Sequence, residues 1–476
     1  MQAATLPVGF TETDVGGYWN GLVGITFDEI GTLFQWDRDG RVWVFDNDAR
    51  LATPLIDISE EVGNWGDHGL LGFALHPNFR QNGYIYLLYV VDHHYLENYG
   101  TPNYDPLAND YNRATIGRIT RYTARASDNF HSVDPASRTI LVGETATNGF
   151  PVTFDTHGAG TLMFGTDGTL LASFGDGGQL SDSGSEPTSF YQQALAEGII
   201  KPKENVGSFR AQMIDSLSGK IIRIDPITGD GIPSNPFYDP TSPRAARSRV
   251  WVLGLRNPFR IGLRPGTGSH DRADGNPGVI YIGDVGYITW EKLSVATGPG
   301  INFGWPFYEG FDPPNSNLDY DTVNQDAPNP LYGTGGCDQP YFRFRDLLQK
   351  ATLGTPSWPN PCDPAQQIPS SIPCFVHTRP AIDWNHNSSG PSRAGTFSGN
   401  DAAVVDIGAS GAPVSGPQFG GNCSIGGVWY AADDFPLQYK NTYFIADFGA
   451  QWIRNMTFDA SNNPVSVRNF ASDAGS

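Results

Sequence analysis

The segment Thr156-His157-Gly158-Ala159-Gly160-Thr161-Leu162-Met163-Phe164-Gly165-Thr166-Asp167-Gly168, running on to Gly175-Asp176-Gly177-Gly178, carries the residue types that proton transfer needs. An imidazole with an ordinary pKa of about 6.5 can take and return a proton near neutrality. A carboxylate on its other nitrogen fixes the tautomer that does so. His157 stands at the entrance of a predicted hairpin and Asp176 beyond its far end. Hairpin strands run antiparallel, so both groups return to one edge of the sheet. His157 is thus a candidate base and Asp176 its orienter; the alternative is a loop His and a turn Asp making ordinary hydrogen bonds.

The elements that must hold this pair are strands. Asp167-Gly168 separates Leu162-Met163-Phe164 from Leu170-Leu171-Ala172-Ser173-Phe174, and Asp39-Gly40 separates Phe34-Gln35-Trp36 from Val42-Trp43-Val44-Phe45. An Asp-Gly step between β-rich runs is a strong hairpin signal. Further strands are expected at 83–91, 117–123, 140–143, 220–225, 250–255, 260–263, 279–282, 426–431 and 441–446, and one short helix near 191–196. The 476 residues hold 57 Gly, 36 Pro, 4 Met, 12% aromatic and 17% charged side chains, which disfavours long amphipathic helices and fits a turn-dense all-β chain. Sandwich, barrel and propeller are all open, because no strict repeat period is present. Residues 311–380 carry twelve prolines and three of the four cysteines, which reads as a long irregular insertion rather than a second domain. One domain over 1–476 is expected.

Charge narrows the partners. Fifty acidic and 30 basic side chains give a net −20, which repels nucleic-acid phosphates and anionic membranes. No apolar run approaches the roughly 20 residues of a spanning helix, and the first residues carry neither a basic segment nor an apolar signal core, as in a mature secreted chain. Cys337, Cys362, Cys374 and Cys423 form no Cys-x-x-Cys pair, so two disulfides, of open pairing, are expected rather than zinc. Sequons at Asn387, Asn422 and Asn455 agree with a secreted glycoprotein.

Five ordered blocks then converge: Gly69-Leu70-Leu71-Gly72-Phe73-Ala74-Leu75-His76-Pro77-Asn78-Phe79; His157-Gly158-Ala159-Gly160 with Gly175-Asp176-Gly177-Gly178; Gly254-Leu255-Arg256-Asn257-Pro258; Gly283-Asp284-Val285-Gly286 with Trp290-Glu291; and Asn302-Phe303-Gly304-Trp305-Pro306. Together they resemble the soluble quinoprotein glucose/sorbosone dehydrogenase family over about residues 20 to 460. The His-Gly-Ala-Gly-Thr-Leu-Met form is similar to the fungal pyranose dehydrogenases of auxiliary activity family 12. The resemblance implies a six-bladed β-propeller with pyrroloquinoline quinone (PQQ) over its mouth and a calcium ion (Ca2+) holding the quinone. It implies oxidation of the C1 hydroxyl of a pyranose to a lactone, with electrons leaving to an external acceptor such as a cytochrome or a lytic polysaccharide monooxygenase, a copper oxygenase. A monomer is expected.

By the same resemblance His157 is the base, Asp176 its orienter, Arg256 the stabiliser of charge on the quinone oxygen, and Asn257 a cofactor donor. Val285 and Gly286 would offer carbonyls to calcium, with the Asp284 carboxylate as a further candidate; Glu291 is expected to anchor the blade. The C-terminal strands have no lysine where bacterial relatives place a cofactor-binding one, and Arg454 is the candidate substitute. His68 falls near the cofactor mouth, and Trp384 and His386 where relatives bring a ring over the quinone plane. His93 and His94 have no matched role, and a copper or zinc site there needs a third ligand. Two rival readings keep the propeller: a calcium-dependent lactonase or esterase, and a non-catalytic ectodomain that binds protein or glycan.

Overall fold

The computed structural model describes residues 4–13, 21–47, 49–178, 190–313, 320–387 and 389–474. Gly40 and Gly168 sit at φ +103° and +72°, the left-handed backbone that their hairpin turns require. The strands they join span Leu33–Asp37 with Arg41–Asp46, and Ala159–Phe164 with Leu170–Phe174. Both hairpins fall where the sequence predicts them.

Five main antiparallel sheets follow one another along the chain as propeller blades. Their inner strands are Leu22–Phe27, Leu70–Leu75, Ala159–Phe164, Pro258–Leu263 and Ser424–Tyr430. Each contributes to the wall of one central cavity of about 420 Å³, through Leu22 and Val23, Leu71, Ala159, Phe259 and Arg260, and Ile425. Adjacent blades bury their faces against each other. Phe34, Val42 and Val44 of blade one meet Phe73, Leu87 and Tyr89 of blade two, whose opposite face presents Tyr86, Leu88 and Val90 to Leu162 and Leu170 of blade three. The strand Tyr84–Val90 is apolar throughout because side chains alternate and both of its faces are covered. Ile221 and Val252 then pack on Ile261 and Ile282, and Tyr281 on Trp429 and Tyr443, which continues the series to blade five. Thr5 pairs with Ser472, so the chain's start joins the outer edge of the last blade.

The described residues form five blades, not six, which corrects the sequence expectation. The reason lies after residue 296. The outer strand Trp290–Ala296 of blade four continues its ladder onto Ile382–Asn385, which in turn pairs Ser392–Ser398 and then Asp401–Asp406. Strands that could have opened another blade instead extend blade four to six. The preceding insertion is irregular as expected, with three two-stranded pairs and a small core of Ala327, Phe342, Leu347, Ile368 and Ile372. One disulfide, Cys337–Cys362, with Cα atoms 5.3 Å apart, pins it. The expected second bond is absent: Cys374 lies against the insertion core and Cys423 lines the central cavity, so both thiols are free. Besides the expected helix, Phe190–Ala196, short helices span Phe79–Asn82, His93–Asn98 and Ala246–Arg249. No helix among the described residues is long and apolar enough to cross a membrane.

Candidate active site

His157 and Asp176 meet as their hairpin requires. Ala159 pairs with Phe174 across the ladder, so the residues just outside the strands converge, and His157 Nδ1 lies 2.7 Å from Asp176 Oδ1. The approach is close enough that a Cβ on Gly175 would fall 2.3 Å from the His157 carbonyl. His157 itself holds φ +59°, a backbone state that a bulky residue adopts only at a cost of about 1–3 kcal/mol and that clusters at functional sites. Its Nε2 has no hydrogen-bond partner among the described residues.

Asp176 is fully buried. Its second oxygen accepts the Trp305 indole N–H at 2.7 Å, and its first also accepts the Gly178 amide at 3.3 Å. Burial pushes the carboxyl pKa up, but His157, Arg256 and the Trp305 bond outweigh it and hold the group below the usual range. Trp305 was within a matched motif yet had no role in the sequence reading. Its backbone carbonyl accepts Gln212 Nε2 at 2.7 Å, and Gln212 exchanges amide bonds with Asn302, whose Oδ1 accepts the Gly304 amide.

Arg256 belongs to the next blade, and the Asp176 amide donates to its carbonyl at 2.8 Å. The guanidinium stands 5.5 Å from the Trp305 ring and 5.6 Å from the Tyr287 ring, and Nη1 donates to the Val285 carbonyl at 3.2 Å. Its Nε is buried with no partner among the described residues. Asn257 and Val285 line the central cavity close by. Asp284 is a strut rather than an open ligand: its carboxylate accepts the Arg256 and Asn257 amides, the latter at 2.7 Å, and Lys292 Nζ stands 3.5 Å away. That corrects its candidacy as a metal ligand. Glu291 anchors the blade as expected, accepting the Gly286 amide at 2.9 Å and the Ser424 amide at 2.8 Å.

Other predicted residues fall elsewhere. His68 is completely buried beneath the loop, where a Cβ on Gly158 would fall 2.6 Å from its Nδ1. Burial lowers its pKa to about 4, so it is neutral and donates Nε2–H to the Phe154 carbonyl. It supports the His157 turn from below and offers nothing to a cofactor at the mouth. Trp384 is also fully buried, donates to Asp447 at 3.0 Å and packs on Phe419 and Trp452, so it is core and does not stack over a ligand. His386 lies beside Gly286, with Nε2 2.7 Å from Glu291 Oε1. Arg454 sits on the third strand of blade five, over Phe419 and Trp452, and lines a separate cavity with Thr5, Leu6 and Pro7; it cannot replace the missing lysine. The central cavity instead holds Arg38, Asp67 and Arg260, none of which the motifs singled out. Burial raises the Asp67 pKa, against the pull of His157, Arg38 and Arg256.

Away from the mouth, the third ligand missing near His93 exists: His93, Glu97 and Glu197 bring ligand atoms within 4.8 Å of one another. Gln193 Nε2 already bridges His93 Nε2 at 2.8 Å and Glu197 at 3.0 Å, so two of the three groups are engaged by hydrogen bonds, and Glu97 is exposed.

Residues 22–333 match the family described as Glucose / Sorbosone dehydrogenase. Among curated relatives, the HIPL1 protein of Arabidopsis thaliana is 28% identical over 295 residues, covering 56% of this chain and 36% of the relative. The quinoprotein glucose dehydrogenase B of Acinetobacter calcoaceticus is 23% identical over 290 residues, covering 58% of this chain and 50% of the relative. The chain thus spans half or less of the length of these relatives. A solved glucose dehydrogenase superposes with a TM-score of 0.51 at 15% identity, over 92% of this chain and 82% of that one, a likeness of fold.

Proposed function

Because the chain belongs to the glucose/sorbosone dehydrogenase family, we propose that it is a quinoprotein that oxidises the C1 hydroxyl of a pyranose to the lactone, with pyrroloquinoline quinone held at the mouth of the central cavity. The observation that carries this reading is the pairing of an uncommitted His157 Nε2 with a buried, ionised Asp176 on Nδ1, next to the Arg256 guanidinium.

The residues fit an anionic quinone. Arg256 Nε is a buried donor with no acceptor among the described residues, and Asn257 lines the cavity. Bound there, the quinone would supply the two-electron acceptor for the hydride leaving C1. His157 Nε2 takes the hydroxyl proton, Asp176 keeps Nδ1–H pointed inward and stabilises the imidazolium, and Trp305 keeps the carboxylate from turning. Arg256, beside the neighbouring rings of Tyr287 and Trp305, offers fixed positive charge where negative charge develops. Calcium would draw on the main-chain carbonyls of Val285 and Gly286, with water completing the six to eight oxygens it requires. Val285 keeps one carbonyl lone pair after its bond from Arg256.

Electrons then pass to an external acceptor, a cytochrome or a copper-containing lytic polysaccharide monooxygenase, and the net charge of −20 favours a partner with a basic docking face. Secretion is supported by the disulfide and by the exposed sequon asparagines Asn387 and Asn422. Asn455 is buried and donates to Thr442 at 2.6 Å, so it carries no glycan in the folded protein.

The test is titration of the apo-protein with pyrroloquinoline quinone, with and without calcium, followed by dye-linked oxidation of a panel of pyranoses. Saturable, calcium-dependent binding with dye reduction is expected. Binding without turnover on any pyranose would favour the non-catalytic propeller, and no binding would return the lactonase reading.

A further inference from the structure

Arg260 lies on the inner strand of blade four and crosses the central channel. Its Nη1 donates to the carbonyls of Phe259 at 3.1 Å and Gly160 at 3.4 Å, and its Nη2 to the Val23 carbonyl at 3.1 Å. Blades one, three and four therefore converge on a single guanidinium, which also stacks 4.2 Å from the Phe259 ring. A guanidinium has five N–H donors in a planar fork. Three are occupied by these carbonyls, leaving Nε–H and one Nη2–H.

No carboxylate among the described residues answers this charge. Arg260 makes no ion pair among the described residues, and burial alone, with no acidic neighbour to offset it, lowers its pKa to about 10, so it stays protonated. Asp67, the acid on the cavity wall, is coupled to His157, Arg38 and Arg256 instead. A half-buried cation on the cavity wall that meets neutral carbonyls, and no carboxylate among the described residues, is an arrangement that an anion would relieve. Arg38 lines the same cavity, tied by Nε to Asn64 at 2.6 Å and by Nη1 to the Gly66 carbonyl at 2.9 Å. Asn257, Gly158 and Val285 complete the wall on the side of the candidate base.

We propose that Arg260, reaching up from the channel, binds a carboxylate of the quinone cofactor and supplies a cation that the C-terminal strands, with no lysine at the cofactor-binding position, do not. The inference rests on the quinone reading of the site. Two donors left on one planar guanidinium suit bidentate recognition of a carboxylate. Arg38 adds charge on the same cavity, and the cofactor would be gripped from beneath as well as from the Arg256 side.

The experiment compares pyrroloquinoline quinone with its trimethyl ester on wild-type protein and on Arg260→Met and Arg260→Lys, reading dissociation constants from quenching of tryptophan fluorescence. Wild-type protein is expected to favour the acid over the ester; Arg260→Met should weaken acid binding at least about tenfold and shrink that preference, with Arg260→Lys in between. Arg260→Met also removes the hydrogen bonds to Gly160 and Val23 that join blades, so binding is compared below the melting temperature of each variant, measured without cofactor. In a measurement that needs no variant, phenylglyoxal labelling of Arg260, mapped by mass spectrometry, should fall when the quinone is bound. Unchanged acid-over-ester preference in Arg260→Met, or equal labelling with and without quinone, would overturn the role of Arg260. Failure of wild-type protein to bind the quinone at all would overturn the cofactor reading itself, a result distinct from the first two.

Discussion

His157 and His93 both set Nδ1 against an aspartate, 2.7 Å from Asp176 in one case and 2.8 Å from Asp110 in the other. Beyond that bond they diverge. Asp176 is wholly buried with its second oxygen pinned by Trp305, whereas the Asp110 side chain is 40% exposed. His93 opens a helix capped by Asp92, and its Nε2 is engaged by Gln193 and lies 3.1 Å from Glu197. His157 sits in left-handed backbone with Nε2 uncommitted. An imidazole–carboxylate contact is therefore common to structural and chemical sites. What separates them is whether the distal nitrogen is spent, and whether the backbone accepts strain to keep it free.

The contrast is broken or sharpened first by alanine at each histidine. His157→Ala should lower the rate of dye-linked sugar oxidation by about 10²–10⁴, the usual contribution of a positioned base, while quinone binding persists. His93→Ala should change that rate less than about twofold, its loss being one of local packing near the helix start. Equal losses from the two variants would mean that the distal nitrogen does not define the site.

A second test uses the histidine beneath the site. His68 is neutral in the fold, with its pKa lowered to about 4 from 6.5 by burial. Between those values the unfolded chain takes up a proton that the folded protein refuses. Stability is thus fully present above about pH 6.5 and falls as pH drops toward 4, by about 3 kcal/mol for this group alone. His377, lowered to about 3 by burial, acts in the same direction over a wider range. The depressed Asp176 contributes in a separate window, losing its stabilisation only below its unfolded value of 3.8. Urea unfolding at pH 7.5, 5.5 and 4.5 should give a flatter acid limb for His68→Gln than for wild type; parallel limbs would show that His68 titrates normally.

The parts of this site that were legible in the sequence are those governed by local rules. An Asp-Gly turn dictates the hairpin, and the hairpin dictates that His157 and Asp176 meet. Contacts made across blades were not legible. Trp305 reaches Asp176 from 129 positions away, Arg260 reaches Val23 from 237, and no periodicity relates them. Trp384 and His68 were expected at the mouth because their neighbours in sequence lie there, yet alternation along a strand and a single tight turn send both inward. The blade number was misjudged for a related reason: whether Ile382–Asn385 starts a sheet or extends one depends on an exposed ladder edge of Trp290–Ala296, which composition does not encode.

The smallest effect concerns the donor that completes each carboxylate. At the candidate active site this is Trp305 Nε1, 2.7 Å from Asp176 Oδ2; at His93 it is Gln193 Nε2, 3.0 Å from Glu197. Trp305→Phe leaves one buried carboxylate oxygen without its donor, a loss of about 1.5–3 kcal/mol for a bond to a charged group. Because His157 and Arg256 still oppose protonation, only part of that loss should reach the rate, giving roughly a tenfold fall at neutral pH. The Asp176 carboxyl should also become easier to protonate, so the acid limb of the pH–rate profile moves upward. Gln193→Met should move neither the rate nor the profile, since the carboxylate it serves is partly solvated and holds no reacting proton. A profile for Trp305→Phe that falls in height but keeps its acid limb would mean that the indole only packs, and that the ionised state of Asp176 depends on His157 and Arg256 alone.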